Sequence, residues 1–233
     1  MGEPRGRREE QVQTVIERLR AEYPEATISL EFASRLELLV AVILSAQCPD
    51  ERVNETTPEL FERYPTAQAY ADADVDEIRE IISSITYPNS KAEYLKGVGE
   101  ILVAEHDGAV PDEMDALTEL PGVGRKTANV VLQHGHDLTE GIVVDTHVIR
   151  LSRRLGITEE ARRNRIEEDL MGVVPEEHWQ HYTHWLISHG RAVCTARNPD
   201  CGDCVVEEVC PSSKLDGDID LADGEPWDGG ENS

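Results

Sequence analysis

Two groups of residues in this chain have the types and spacing to do chemistry. The first is a set of cysteines: four of the five fall between Cys194 and Cys210, in the pattern Cys194-x6-Cys201-x2-Cys204-x5-Cys210. The charged N-terminus lacks the apolar stretch of a secretory signal, which points to a cytoplasmic chain in which disulfides are not expected. Four thiolates suit either tetrahedral zinc or an iron–sulfur cube, and spacing by itself does not choose between them. Cys48 stands apart and is assigned no chemistry.

The second group surrounds one lysine, in the run Leu120-Pro121-Gly122-Val123-Gly124-Arg125-Lys126-Thr127-Ala128-Asn129-Val130-Val131. It reads as a tight turn between two helices. Pro121 and Gly122 end whatever precedes them, and Gly124 lacks the Cβ that would bar a positive φ or the close approach of another backbone. Helix formers follow, so the amides near Arg125 and Lys126 should be donors at a helix start, where phosphate binds. A helix C-cap running into a second helix would look similar. Downstream, the apolar stretch Gly141-Ile142-Val143-Val144 delivers a carboxylate, Asp145.

The elements that must position these groups read as helices. Val12, Val15, Ile16, Leu19 and Tyr23 share helical spacing, and Ser34 can cap a helix whose residues 36–44 are apolar nearly all round, which marks it as central. It ends abruptly in the polar Ser45-Ala46-Gln47-Cys48-Pro49-Asp50. Asp74 and Glu77 form a capping box ahead of Ile78, Ile81, Ile82 and Ile85. Thr86-Tyr87-Pro88-Asn89 then breaks the pattern, and Ser90 starts the next helix. His178, His181 and His184 drift around their helix with no carboxylate in register, so packing is expected of them rather than metal binding.

At 233 residues and 39% hydrophobic composition, the chain is large enough for a core. No apolar run approaches the roughly 20 residues of a membrane helix. The balance of 47 acidic against 22 basic residues, a net charge of −25, taken alone argues against a nucleic-acid partner. Residues 120–165, however, hold eight Lys or Arg against five Asp or Glu. Such an acid-rich, lysine-poor surface suits molar salt, where charge repulsion is screened, and so predicts a halophilic source. From Leu215 onward acidic residues recur among glycines with no Lys or Arg, the composition of a disordered tail.

The glycine turn, the Val144-Asp145-Thr146-His147-Val148-x-Arg150 segment and the cysteine spacing together resemble the endonuclease III family of DNA glycosylases, over about residues 32–212. The resemblance implies an all-α fold of two lobes with a DNA cleft between them. A six-helix bundle is expected at 32–139, with a helix-hairpin-helix at about 113–135. Residues 1–31 with 140–212 would carry a [4Fe–4S] cluster on Cys194, Cys201, Cys204 and Cys210, and 213–233 the tail. It further implies a monomer acting on damaged double-stranded DNA in base-excision repair, removing oxidised pyrimidines and nicking the abasic site. Leu120, Gly122, Gly124 and Arg125 would contact DNA, and Gln47 would fill the gap left by an everted base. In the family a glycine and an apolar wedge occupy the next turn; here Thr86, Tyr87 and Pro88 stand there, with Tyr87 at the wedge position. Taken without the resemblance, Gln47 is a helix end and Tyr87 a tyrosine packed under a loop.

Lys126 is then the amine that attacks C1′ and forms a Schiff base. Lysine titrates near 10.4 in water, so the nucleophile needs a helix start, a neighbouring cation and exclusion of water to shed its proton. A nearby ionised carboxylate works the other way, so Asp145 is assigned to accepting a proton or stabilising the cationic sugar. Two other functions fit the same motifs: a monofunctional mismatch-base glycosylase, whose members carry a non-lysine at this position, and a non-enzymatic DNA-binding iron–sulfur protein.

Overall fold

The helical periodicities become eleven α-helices in the computed structural model, which describes residues 5–214 and has no strand among them. The acidic tail expected beyond them lies, past Lys214, outside the described residues. Two compact units divide the chain: Thr27–Val143, and the residues up to Ala26 together with those from Val144 onward. No helix among the described residues is long and apolar enough to cross a membrane.

In Thr27–Val143 the organising element is α2 (Arg35–Ser45), in which every residue from Leu38 to Leu44 is buried. Ser34 caps it, its Oγ accepting from the Glu37 amide at 3.2 Å. A helix apolar on all faces has to be surrounded. It is packed by α3 (Asp50–Arg63), α6 (Pro88–Glu105) and α8 (Arg125–Gly135) around one apolar core that runs from Leu30 to Leu132. Thr66 and Asp74 open two short helices in quick succession, α4 (Ala67–Asp72) and α5 (Val75–Ile81). With α7 (Met114–Thr118) these make seven helices in the unit, one more than expected. Gly99 lets α4 approach α6, since a Cβ there would meet the Ala71 nitrogen at 2.6 Å.

Two sequence expectations are corrected in this unit. Asp74 caps α5 through the Asp76 amide, but the reciprocal half of the capping box does not form. Glu77 is engaged instead by Arg63 at 3.1 Å and by the Tyr64 hydroxyl at 3.4 Å. Pro88 does not break a helix either; it opens α6 two residues ahead of Ser90, because a first-turn proline forfeits no hydrogen bond and its φ is already helical.

In the other unit, α1 (Arg5–Glu22) buries Val12, Val15, Ile16 and Leu19 and packs on α11 (Trp179–Ala192). Helices α9 (Thr146–Arg154) and α10 (Arg163–Met171) complete it, with the cysteine segment following in single 3-10 turns. The His178 and His181 rings pack on Trp185 at 5.9 and 5.8 Å.

Candidate functional site

The turn from α7 into α8 depends on one glycine more than the other. Gly122 has φ +77, and a Cβ there would lie 2.6 Å from Cδ2 of Tyr94 on α6, so only glycine closes the turn. Gly124 departs from expectation: its φ is −93 and nothing lies within 4 Å of where a Cβ would stand. It is the N-cap of α8 and brings no side chain to the cap. A serine or aspartate in its place would bring a capping oxygen to the first turn, which glycine does not. Arg125 and Lys126 are exposed in that first turn. The expected seclusion of the Lys126 amine is therefore not found in the protein alone. Leu120, only 2% exposed, is a core anchor, and its carbonyl closes the turn by accepting from the Val123 amide at 3.1 Å. Any contact it makes with DNA runs through its backbone.

Gln47 and Tyr87 share an unusual state. Both are exposed, and both are left-handed, with φ of 54 and 57. That conformation in a residue other than glycine costs on the order of 1–3 kcal/mol and persists where the surroundings enforce it. Tyr87 is the N-cap of α6 and is 59% exposed, so it is not packed under its loop. Between the two turns lies Lys91, 4% exposed, whose Nζ donates to the Leu44 carbonyl at 2.8 Å and the Ala46 carbonyl at 2.7 Å. Burial pushes its pKa down, with Cys48 opposing; the two carbonyl acceptors also favour the ammonium. A buried amine of lowered pKa is what a nucleophile requires, but this nitrogen is aimed into the end of α2.

Asp145 is half-buried and caps α9, its Oδ1 accepting from the Val148 amide at 2.8 Å. Beside it, burial lowers the His147 pKa; Asp145 opposes this, and Arg150 and Arg191 reinforce it. Lys126 and Asp145 belong to different units of the fold.

Cys194, Cys201, Cys204 and Cys210 line a single small cavity, partly open to solvent, with Arg154 at its wall. Burial, and then the other three cysteines, push the Cys204 thiol up to about 11, although a hydrogen bond to the Val206 backbone works against this. Four thiolates gathered there repel one another unless a multiply charged centre joins them, so the donor set fits an iron–sulfur cluster. Around them Arg154 reaches the Cys194 sulfur at 3.3 Å and the Thr195 and Ala196 carbonyls at 2.8 Å each. His189 Nε2 lies 3.3 Å from the Cys204 sulfur, and its Nδ1 lies 3.1 Å from the Tyr23 hydroxyl. A thiolate at Cys204 can only accept, which makes Nε2 the donor and Tyr23 the donor to Nδ1.

The motif reading missed Lys91, Arg154 and His189. For Lys91 a signal existed: it stands in register with the buried Leu95, Val98 and Leu102 on the apolar face of α6, in a chain with only four lysines. The other two carry no local signal, because their partners are distant in sequence.

Residues 40–176 match the model of the HhH-GPD superfamily of base excision DNA repair proteins, and residues 194–210 that of the iron–sulfur binding domain of endonuclease III. The chain is 51% identical over 192 residues to endonuclease III of Synechocystis sp., covering 82% of this chain and 88% of that protein. It is 42% identical over 196 residues to endonuclease III of Escherichia coli, covering 84% and 92%. Among solved structures it is similar to a trapped endonuclease III–DNA covalent intermediate, an estranged-adenine complex, with a TM-score of 0.83 and 36% identity, covering 89% of this chain and 98% of that one. A thermostable thymine-DNA glycosylase at 20% identity, with a TM-score of 0.79, shares the fold.

Proposed function

We propose residue roles and a substrate class for this chain, which belongs to the endonuclease III family within the HhH-GPD superfamily of base excision DNA repair proteins. It is a DNA glycosylase and abasic-site lyase that binds DNA and carries a [4Fe–4S] cluster. Its proposed substrates are oxidised pyrimidines in double-stranded DNA, everted from the stack before the C1′ carbon is reached.

The observation that carries the assignment is the position of Lys126, exposed in the first turn of α8 among amides that receive no side-chain cap from Gly124. Phosphate held on those amides sets the register of the strand, and the amine of Lys126 is the nucleophile. Its nitrogen bonds to C1′ as the N-glycosidic bond breaks, and the base leaves with the electron pair and a proton. The sugar ring opens to an imine on Lys126. Loss of a 2′ proton then expels the 3′ phosphate by β-elimination, and water releases the amine. Asp145 is the group that accepts a proton or stabilises the cationic sugar. The trapped covalent intermediate of a relative 36% identical to this chain supports the same chemistry here.

Cys194, Cys201, Cys204 and Cys210 would hold the cluster, whose role is to pin the C-terminal segment. The lysine-poor, acidic composition supports activity in molar salt, which an activity series in KCl tests.

Borohydride treatment of the protein with abasic or thymine-glycol duplex is expected to trap a covalent complex that Lys126→Ala abolishes. Undiminished trapping by that variant overturns the assignment. Asp145→Asn, which keeps a capping oxygen and removes the charge, is expected to slow turnover with less effect on binding.

A further inference from the structure

We infer that Lys91 is a positioning residue for base eversion: a buried ammonium that holds the Gln47 turn and the Tyr87 turn in fixed register. The inference rests on the glycosylase reading above and on the roles that the family resemblance implies for Gln47 and Tyr87, as the residues entering the space around the extruded nucleotide.

Three observations lead to it. The first is that two of the four left-handed non-glycine residues among the described ones, Gln47 and Tyr87, stand at two helix ends, the one just past the C-cap of α2 and the other the N-cap of α6, whereas Asp107 and Asp137 lie in other turns. Neither is held by a cap hydrogen bond from its own side chain, so each keeps its conformation through the backbone around it. The second is the lysine between them. Its Nζ satisfies the carbonyls of Leu44 and Ala46, the last of which immediately precedes Gln47, while its backbone amide donates to the Tyr87 carbonyl at 3.2 Å. The lysine side chain therefore ties the end of α2 to the first turn of α6, whose opening backbone hydrogen bond closes on Tyr87. The third lies one to two turns further along the same helix. Tyr94 lies under Gly122, and a Cβ at Gly97 would stand 3.1 Å from the Pro121 ring, so the turn leading to Lys126 is seated on α6 as well.

A charged group suits this task better than an apolar one. The C-terminal carbonyls of a helix are the negative end of its dipole and lack intrahelical donors, and a buried ammonium supplies two hydrogen bonds at once. Without it, the α2 terminus must find water or unwind, and Gln47 loses what keeps it left-handed. The amine is therefore occupied, and Lys91 takes no part in covalent chemistry.

The test uses the full-length, cluster-loaded protein with Lys91→Met, which keeps the length of the chain and removes the charge, and Lys91→Arg, which keeps the charge. Three readouts are taken: single-turnover excision of thymine glycol from a paired duplex, strand cleavage at a preformed abasic site, and fluorescence of 2-aminopurine placed opposite the lesion. Lys91→Met is expected to lose about tenfold to hundredfold in excision, the scale of a displaced positioning group, and to lose the 2-aminopurine signal. Its abasic-site cleavage should fall no more than about threefold by the same reasoning, because no base remains to be everted. Lys91→Arg should recover part of the excision rate, and adding Gln47→Ala to Lys91→Met should cost little more, since both act on one turn. Equal losses in excision and in abasic-site cleavage, or wild-type excision by a folded Lys91→Met, overturn the inference. Should Lys91→Met fail to fold, Lys91→Arg decides by the same ratio of the two rates. If the wild-type protein gives no borohydride adduct, it is the Schiff-base reading that fails, while the 2-aminopurine signal still reports on Lys91.

Discussion

The two units of this protein are held by different kinds of force. Thr27–Val143 closes on a continuous apolar core in which α2 is buried on every side. The cysteine segment of the other unit has little of that: between 194 and 214 only Val206 and Ser213 are buried. Its backbone is held by side chains reaching in from helices. Arg154 binds the Thr195 and Ala196 carbonyls, Arg150 the Cys194 carbonyl, and Gln11 the Val209 carbonyl. The hairpin that carries Lys126 thus stands on hydrophobic packing, which needs nothing added. The segment that carries the cysteines is a polar construction completed by its cluster. The two units thus differ in what closes them: an apolar core in Thr27–Val143, and polar side-chain contacts to backbone carbonyls around the cysteine segment.

The most severe way to test that contrast is to take the cluster away. Oxidative loss of the cluster, or Cys201→Ala, is expected to expose residues 194–213 to proteolysis while the helical signal of Thr27–Val143 survives. Limited proteolysis with mass spectrometry, alongside far-ultraviolet circular dichroism, reads both. If the two units melt together when the cluster is lost, the contrast is false.

Next in size are two substitutions matched across the units. Leu132 is fully buried in the apolar core, and Leu132→Ala is expected to cost about 2–5 kcal/mol in denaturant unfolding. In the other unit, Gln11 donates to the Leu155 and Val209 carbonyls, both at 2.7 Å. Gln11→Leu leaves those carbonyls without their donor and is expected to cost about 1–3 kcal/mol. Its second effect should be faster loss of the cluster, which the core variant should not share. Equal rates of cluster loss in the two variants would remove the distinction.

The same contrast governs what could be read from the sequence. Apolar periodicity reports on helices that pack by hydrophobic contact, so α2 and its Ser34 cap were legible, whereas the isoleucine pattern overran α5, which ends at Ile81 with Ile82 as its C-cap and the buried Ile85 beyond it. Cysteine spacing marked the segment at 194–210. What escaped was decided between residues far apart in the chain. Glu77 left its capping box for Arg63 and Tyr64, and Lys91 meets a carbonyl 47 positions away. Arg154 reaches a segment more than 40 positions distant. Glycine was legible as a type but not in its role: Gly122 carries the left-handed turn, while Gly124 gives its helix no side-chain cap.

The smallest expected effect is one in which the units should behave alike. Each contains a partly exposed histidine whose pKa lies below its ordinary 6.5, apart from His189, which burial beside Cys204 also pushes down. His136, in Thr27–Val143, is pushed down by burial and then by Arg35, against Asp112 and the Pro111 backbone. His147, in the other unit, is pushed down by burial and then by Arg150 and Arg191, against Asp145. Above about pH 7.5 both rings are neutral, folded or unfolded, and neither adds a pH dependence. Below it the unfolded chain takes up protons that the folded one refuses, so stability falls with falling pH until the lowered folded pKa is reached. Both rings are partly exposed and screened by solvent, which holds the loss at pH 5.5 to less than about 1 kcal/mol apiece. Thermal unfolding between pH 7.5 and 5.5 should therefore show a shallow downward slope, reduced separately by His136→Asn and by His147→Asn. A slope that disappears with only one of them would mean that acid sensitivity, like the dependence on the cluster, belongs to a single unit.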